Sequence, residues 1–302
     1  MHLRPETSSD YPAVARLNVR AFGNRAAEAV IVALLRGSAA YHPDLSLVAE
    51  KDGQIVGHAL FTTYTIRLMG EDVRAALLAP LAVDPAFQKQ GIGGTLMQAG
   101  HEAARLHGCT LAFLIGHPSY YPRFGYRTHA FGLTSLIVHA DTLPLDRSML
   151  VTRTPTEADL PALLALWEHE EGNVDFSIKP DGTLLDWLSP NPAITTTVYE
   201  RDGEIVGYTR VLGETPRMFL AKDEDAAWAI AGLLMTDGAV TLPLHHASTS
   251  ASAFKGAPTG ETWEAAMAYS LAPNPFDSYY PLVGEGKRPA GRPLWPAPFD
   301  LA

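Results

Sequence analysis

Apolar positions along this chain follow two different periods, and the switches between them outline its elements. Ala27, Val30, Ile31 and Leu34 recur at the three- and four-residue spacing of a helix face that Gly37 ends. The run LSLVAE, the turn Lys51-Asp52-Gly53 and the run QIVGHALF predict an antiparallel hairpin, because Asp-Gly tolerates the positive φ of a tight turn. An apolar run from Ala75 to Val83 reads as a buried strand. The loop VDPAFQKQGIGG leads into a helix with one apolar face at Ile92, Leu96, Ala99, Ala103 and Leu106, and the strand TLAFLIG follows from Thr110. With a short strand and a helix ahead of them, these give the order β-α-α-β-β-β-α-β. That order predicts an α/β class chain, a mixed and mostly antiparallel sheet flanked by helices.

The pattern then repeats. RPETSSDYPAVARL from Arg4 returns as RTPTEADLPALLAL from Arg153, and EKDGQIVGHAL from Glu50 returns as ERDGEIVGYTR from Glu200. Generic helix starts and hairpins could produce either match alone, but the shared offset favours two copies of one fold, residues 1–148 and 149–302. In the second copy Thr156 can cap a helix whose Leu160, Leu163, Leu164 and Trp167 share one face. The tail from Pro273, rich in Pro and aromatics such as Trp295 and Phe299, predicts an extended surface wrap.

Composition narrows the function classes. The 302 residues are 47% hydrophobic with a net charge of -10, enough for two folded domains with cores of their own. Residues 1–150 carry 13 basic and 12 acidic side chains, whereas 151–302 carry 10 and 21, so only the first half can welcome an anion. No Lys/Arg run offers a footprint for nucleic acid. The longest uncharged apolar run, Ala226 to Met235, falls short of the ~20 residues of a membrane helix. The opening MHLRPETSSD has no apolar signal core, so no membrane contact and a cytoplasmic location are expected. Cys109 is the one cysteine; it predicts no disulfide, no metal site, and a small buried residue rather than a nucleophile.

Candidate chemistry concentrates between Gln88 and Gly94. A strand leaving the core at Val83 turns at Pro85 and enters a helix through Gly91, Ile92, Gly93 and Gly94, which leaves several N–H groups without intrahelical acceptors. Those donors and the helix dipole suit an anion, and glycines admit a pyrophosphate close to the backbone. Close strand packing would also explain the glycines. No Gly-Lys-Ser/Thr follows, which excludes a P-loop; Gly91-Ile92-Gly93-Gly94-Thr95-Leu96 ends in Leu, which breaks the dinucleotide fingerprint.

The stretch LAVDPAFQKQGIGGTL resembles motif A of the GNAT N-acetyltransferases, with Gln88, Gly91 and Gly93 in register, and GHPSYYPRFGYR resembles a downstream segment of a bacterial GNAT subfamily. The resemblance covers about the first 140 residues. It implies tandem GNAT-like folds, the second degenerate, and transfer of an acetyl group from acetyl-CoA to a primary amine in a ternary complex, without metal. It places pyrophosphate on the amides of Gln88, Lys89, Gln90, Gly91, Ile92, Gly93 and Gly94, and pantetheine along Leu81, Ala82 and Val83, where a backbone N–H can hold the thioester oxygen. Tyr121, four residues before Gly125-Tyr126, is the implied acid for the departing thiolate; on residues alone, in the string Tyr120, Tyr121, Phe124, Tyr126, it reads as a packing aromatic. His117 is the candidate base, or a loop-fixing residue with water removing the proton. Glu28 can recognise a cationic acceptor or serve as a solvated helical charge.

Where the second copy should bind phosphate it reads LAKDEDAAWAI; Asp223, Glu224 and Asp225 cap a helix but repel phosphate, so this half is expected to serve as scaffold, acceptor-site wall or association surface, with a homodimer possible. His245-His246 point to opposite faces of a strand and make poor co-ligands. Two other readings stay open: an acyl-CoA-binding sensor or interaction protein without turnover, and a structural repeat whose glycines only pack.

Overall fold

The first copy folds in the order its apolar periods predict. The computed structural model describes residues 1–145 and 149–301. The chain runs β1 (His2–Pro5), α1 (Tyr11–Ala21), α2 (Ala27–Leu35), β2 (Ser46–Lys51), β3 (Gln54–Leu68), β4 (Glu71–Val83), α3 (Ile92–Leu106), β5 (Leu111–Ile115) and β6 (Gly132–His139). The second half continues with β7 (Val151–Arg153), α4 (Leu160–Glu171), β8 (Ile194–Arg201), β9 (Glu204–Leu212), β10 (Thr215–Ala221), α5 (Glu224–Leu234), β11 (Ala239–Leu242), β12 (Thr259–Thr262), β13 (Ala266–Ser270) and α6 (Phe276–Gly284).

The repeat is visible down to single ion pairs. Arg4 joins Asp10 at 2.6 Å and Glu50 at 3.0 Å across the start of the first copy. Arg153 joins Asp159 and Glu200, both at 2.6 Å, in the second. In each corner the aspartate also accepts from a threonine three residues earlier, through the backbone N–H and the hydroxyl of Thr7 or Thr156. Threonine and aspartate thus form a reciprocal capping box at each corner, with Thr156 at the N-cap as expected.

The two halves exchange strands. One six-stranded sheet runs β1-β2-β3-β4-β5-β13, antiparallel except for the parallel β4–β5 pair. A four-stranded sheet runs β10-β9-β8-β7, and a three-stranded one runs β11-β6-β12. So β6 of the first half lies between two strands of the second, and β13 of the second half returns to close the first. The reason lies in β5, whose residues Leu111 to Leu114 are buried while only Leu111–Phe113 pair with β4; its other edge needs a covering strand, and β13 supplies one over five residue pairs. The expected boundary at 148 falls outside the described residues.

Helix α3 sits on β2 and β3 over a core of Ala49, Val56, Phe61, Leu96 and Met97. Its buried face is broader than the one expected: Ile92 and Leu96 are buried and Ala99 and Ala103 pack half-buried on the same core, but Leu106 is 89% exposed, and Gly93, Met97, Gly100, His101 and Ala104 also face inward. Phe61 presses so close that a Cβ at Gly100 would strike its ring. Glycines therefore belong to this face, which counting apolar side chains does not show.

The tail is no surface wrap. It contains α6, and beyond it Leu294 and Ala297 are buried while Trp295 stacks on Phe113 of β5 at 6.2 Å. Burying that aromatic area outweighs the solvation of an extended Pro-rich chain. Among the described residues no helix is long and apolar enough to cross a membrane.

Candidate active site

Strands β4 and β5 pair only from Ala75 to Leu77 and then part. Beyond Leu77, β4 keeps β3 as its partner, with a bulge opposite Leu60 that takes in Ala79 and Pro80. Asp84 N donates to Val56 O at 2.9 Å, on the β3 side. Because successive N–H groups of a strand alternate, those of Val83 and Leu81 turn the other way, into the gap. A cleft of about 960 Å³ opens there, bounded by β4, the start of α3, the end of β5 and the turn after it.

At the mouth of this cleft the chain makes a concave turn. Lys89 at φ 61 and Gly91 at φ 83 are both left-handed, and Gly91 caps α3. Residues left-handed at alternate positions turn successive amides toward a common centre, which forms an anion nest. The first amide of α3 with a backbone acceptor is that of Thr95, bonded to Gly91 O at 3.1 Å. Among the described residues, the amides of Gln88 through Gly94 donate to no acceptor in the protein. Gln88 instead uses its side chain, whose Nε2 donates to Val83 O at 3.2 Å and ties the turn to the end of β4.

The glycines here do different work. Gly91 needs its positive φ and has open space where a Cβ would stand. A Cβ at Gly93 would collide with Tyr120 Oη, and one at Gly94 would come within 3.2 Å of Phe124. The last two thus admit the aromatic turn 120–124 against the helix start, so the packing explanation holds for them alongside the open amides.

That turn brings the acid candidate to the cleft. The Tyr121 ring lies on Gly116 at the end of β5, where a Cβ would strike it, and packs edge-on to Tyr120 at 5.0 Å. Burial, then the neighbouring Tyr120, pushes the Tyr121 phenol up to about 12, so it stays protonated across the neutral range. His117 is exposed on the cleft rim, and its carbonyl accepts from Tyr120 N at 2.9 Å, a turn-fixing contact. Glu28 on α2 faces the cleft rather than solvent: Oε1 accepts from Arg25 at 3.0 Å, while Oε2 is buried without a hydrogen-bond partner. Cys109 is 2% exposed and burial pushes its thiol up to about 11, which suits the inert role expected.

The cleft wall therefore brings together Glu28, Leu81, Val83, Gln88, Lys89, Gly91, Ile92, Gly93, Gly94, His117 and Tyr121. Two candidates lie off it. Ala82 is buried opposite His58 of β3, and Gln90 is exposed, accepting from Lys51 Nζ at 3.3 Å. The structure adds Tyr120, Arg123 and Phe124, carried by the same aromatic string, and Phe299, which no local pattern announces because it arrives from the far end of the chain.

In the second half the corresponding corner is closed. Asp223 Oδ1 accepts from Ala226 N at 2.8 Å and its carboxylate pairs with Arg201. Of the histidine pair, His245 is buried and His246 exposed. Among the described residues no group of three or more His, Cys, Asp or Glu could hold a metal ion.

Comparisons with known proteins bear on the family and the fold. A family model described as an acetyltransferase (GNAT) domain matches residues 2–129. The uncharacterized N-acetyltransferase YjhQ of Escherichia coli (strain K12) is 42% identical over 118 residues, 39% of this chain and 65% of that protein, so the chain spans about two thirds of its length. The uncharacterized N-acetyltransferase YhbS of the same strain is 34% identical over 131 residues, 43% of this chain and 75% of that protein. Over the longer span, the crystal structure of a GCN5-related N-acetyltransferase from Kribbella flavida is similar with a TM-score of 0.69 at 19% identity, covering 89% of this chain and 72% of that one, a likeness of fold.

Proposed function

The chain belongs to the GNAT acetyltransferase family, and on that premise we propose that it transfers an acetyl group from acetyl-CoA to an amine at the cleft between β4 and β5. The observation that carries this is the run of amides from Gln88 to Gly94, seven residues with no acceptor of their own at the mouth of that cleft. Gln88 to Gly91 are exposed and water can serve their amides, whereas Ile92 and Gly93 are buried and Gly94 is half-buried. Amides so enclosed are almost always paired, so open ones here, beside a left-handed turn, fit an anionic ligand such as the pyrophosphate of CoA. Acetyl-CoA supplies an activated acetyl group on a thioester.

The protein's own groups would do the rest. The N–H groups of Leu81 and Val83 face the gap and can pair with the amides of an extended arm or hold negative charge developing on a carbonyl oxygen. As the new C–N bond forms and the C–S bond breaks, Tyr121 Oη would give its proton to the sulfur, while the amine's surplus proton leaves to solvent. The phenol lies well above the ordinary thiol range near 8.5, so it stays protonated beside the leaving sulfur at neutral pH, and after each transfer it regains a proton from solvent, which balances the one released by the amine. Glu28, whose Oε2 is buried without a partner on the cleft wall, would receive the incoming amine. His117, exposed and tied into the turn, is left with a rim role. The acceptor is a small molecule or peptide amine and the compartment the cytoplasm.

The test is thiol release from acetyl-CoA by the purified full chain, with and without amines. Tyr121→Phe should lower kcat by about 100-fold or more with little change in the KM for acetyl-CoA. Tight acetyl-CoA binding with no turnover of any amine, and no effect of Tyr121→Phe, would refute the transferase reading.

A further inference from the structure

A second cavity lies between the two halves. It has a volume of about 950 Å³ and shares Leu78, Ala79, Ile115 and Phe299 with the cleft described above, so the two open on either side of the β4–β5 gap. Its wall is apolar in places, with Leu77, Leu133, Leu212 and Trp295, but its ionised groups lean one way. Three arginines, Arg210, Arg217 and Arg292, face two carboxylates, Asp300 and Glu261.

Two of these guanidinium groups are unusual. Arg210 and Arg292 are each 2% exposed, and each uses only part of its fork. Arg210 Nη2 donates to Trp295 O at 2.5 Å, and its Nη1 lies 3.5 Å from Asp300 Oδ2, longer than a good charged hydrogen bond; Nε and Nη1 have no hydrogen-bond partner among the described residues. Arg292 Nη2 donates to Glu171 at 2.7 Å, and its Nε and Nη1 are likewise buried without a partner. The Thr134 hydroxyl on the same wall is also buried and unpartnered. Buried arginine donors are costly to leave open; Asp300 Oδ2 and Glu171 Oε2 lie beside them, also without a hydrogen-bond partner, and close none of these bonds, so the donors on this cavity wall still suit an acceptor from outside the chain. Asp300 is a poor counter-ion for all of this: burial raises its carboxyl above the ordinary range, with Arg210 and Arg217 pulling it back.

We infer that this cavity holds the acceptor, and that the acceptor is an amino carboxylate: its carboxylate lies on Arg210 and Arg292 with Arg217 at the rim, and its amine reaches past Leu78 and Ala79 to the Glu28 side of the cleft. This rests on the acetyltransferase reading and extends it to a substrate class. The planar fork of arginine matches a carboxylate bidentately, and the apolar stretch between the two polar ends suits a hydrocarbon spacer. A polycation is disfavoured, because its second charge would be desolvated among guanidinium groups.

Three six-carbon probes read the proposal: 6-aminohexanoate, 6-amino-1-hexanol and 1,6-diaminohexane, used as acceptors with the full chain. The carboxylate should exceed the alcohol by about tenfold or more in kcat/KM, and the diamine should be worst. Arg217→Gln, at an exposed position, and Arg210→Lys, which keeps the charge but not the fork, should each raise the KM for 6-aminohexanoate several-fold and narrow its lead over the alcohol, with the loss falling on the acceptor's KM rather than on that of acetyl-CoA. Calorimetric titration with hexanoate and with hexylamine gives the same comparison without turnover: hexanoate should bind tighter, and Arg217→Gln should weaken it. Equal or absent binding of the two, a preference for the diamine, or an Arg217→Gln protein that still favours the carboxylate by the same factor would overturn the proposal. Failure of the acetyltransferase reading would show separately, as acetyl-CoA that neither binds nor is turned over while hexanoate still binds.

Discussion

The two halves of the chain build the same corner, strand to turn to helix, and finish it in opposite ways. At the start of α3 the turn is Gln88 to Gly94, left-handed at Lys89 and Gly91, and its amides stay open. At the start of α5 the turn is short, Asp223 caps the helix through Ala226 N, and Arg201 neutralises the carboxylate. The first corner remains able to take an anion from outside; the second carries its own. A helix N-terminus is thus a binding site only where the chain withholds its own acceptor, a sharper criterion than the presence of the dipole.

The most direct way to break this contrast is to give the first corner the second corner's solution. Gly91→Asp puts a carboxylate beside the open amides, at a position where a Cβ meets nothing within 4 Å and where Asp tolerates the left-handed φ better than most residues. It should weaken acetyl-CoA binding by about 100-fold, the scale of one or two lost charge-assisted hydrogen bonds plus repulsion, while costing only about 1 kcal/mol of stability. Calorimetry on the full chain checks both the affinity and, from the melting curve, the fold. Unchanged affinity would mean that the phosphates lie elsewhere.

The halves should also differ in their response to pH. In the first, burial pushes His58 and His101 down to about 4. Unfolded histidine titrates near 6.5, so below that pH the unfolded chain takes up protons the folded one refuses. Stability falls from about pH 6.5 to 4, by up to about 1.4 kcal/mol per pH unit for each. In the second half His245 behaves the same way, but burial, then Glu171, pushes Glu170 up to about 8, and burial, then Asp181, pushes Asp186 up to about 7. There the folded state holds protons that the unfolded state releases above about 4, so this contribution is present in acid and lost as pH rises toward 7 or 8. Glu170→Gln keeps an acceptor for Ser250 N and Oγ and should raise the melting temperature at pH 8 by an amount equivalent to about 1 kcal/mol or more, with little effect at pH 4.5. A gain equal at both pH values would mean that Glu170 is not held neutral.

How much of this was legible in the sequence follows from where the information is stored. The order of elements and the repeat were readable because periodicity and turn chemistry are local; Arg4 with Asp10 and Arg153 with Asp159 carry the same corner within six residues. The open loop was readable because Gly91 and its neighbours mark it. The strand exchange was not: which partner covers the second edge of β5 depends on a strand about 150 residues further on, and no period along the chain encodes it. The same holds for Phe299 at the cleft, and for the cavity arginines, which come from β9, β10 and the tail. Glu28 lay between: its position on α2 was clear, but its facing the cleft depends on how α2 packs, which the weak contrast between that helix's faces leaves open.

The smallest effect tests the closed corner from its own side. Asp223→Ala frees Ala226 N and leaves Arg201 without its partner, but the pair is half exposed, so the expected loss is that of a helix cap, about 1 kcal/mol, or roughly 2–4 °C in melting temperature. Opening this amide should confer no affinity for CoA, because Glu224 and Asp225 still crowd the helix start with negative charge and no left-handed turn precedes it to gather further donors. Acetyl-CoA should therefore bind Asp223→Ala and the unaltered chain equally, with one site in each. A second site would show that the carboxylate alone had blocked it, and a weakened first site would show that the second corner supports the first; either would remove the contrast between the halves.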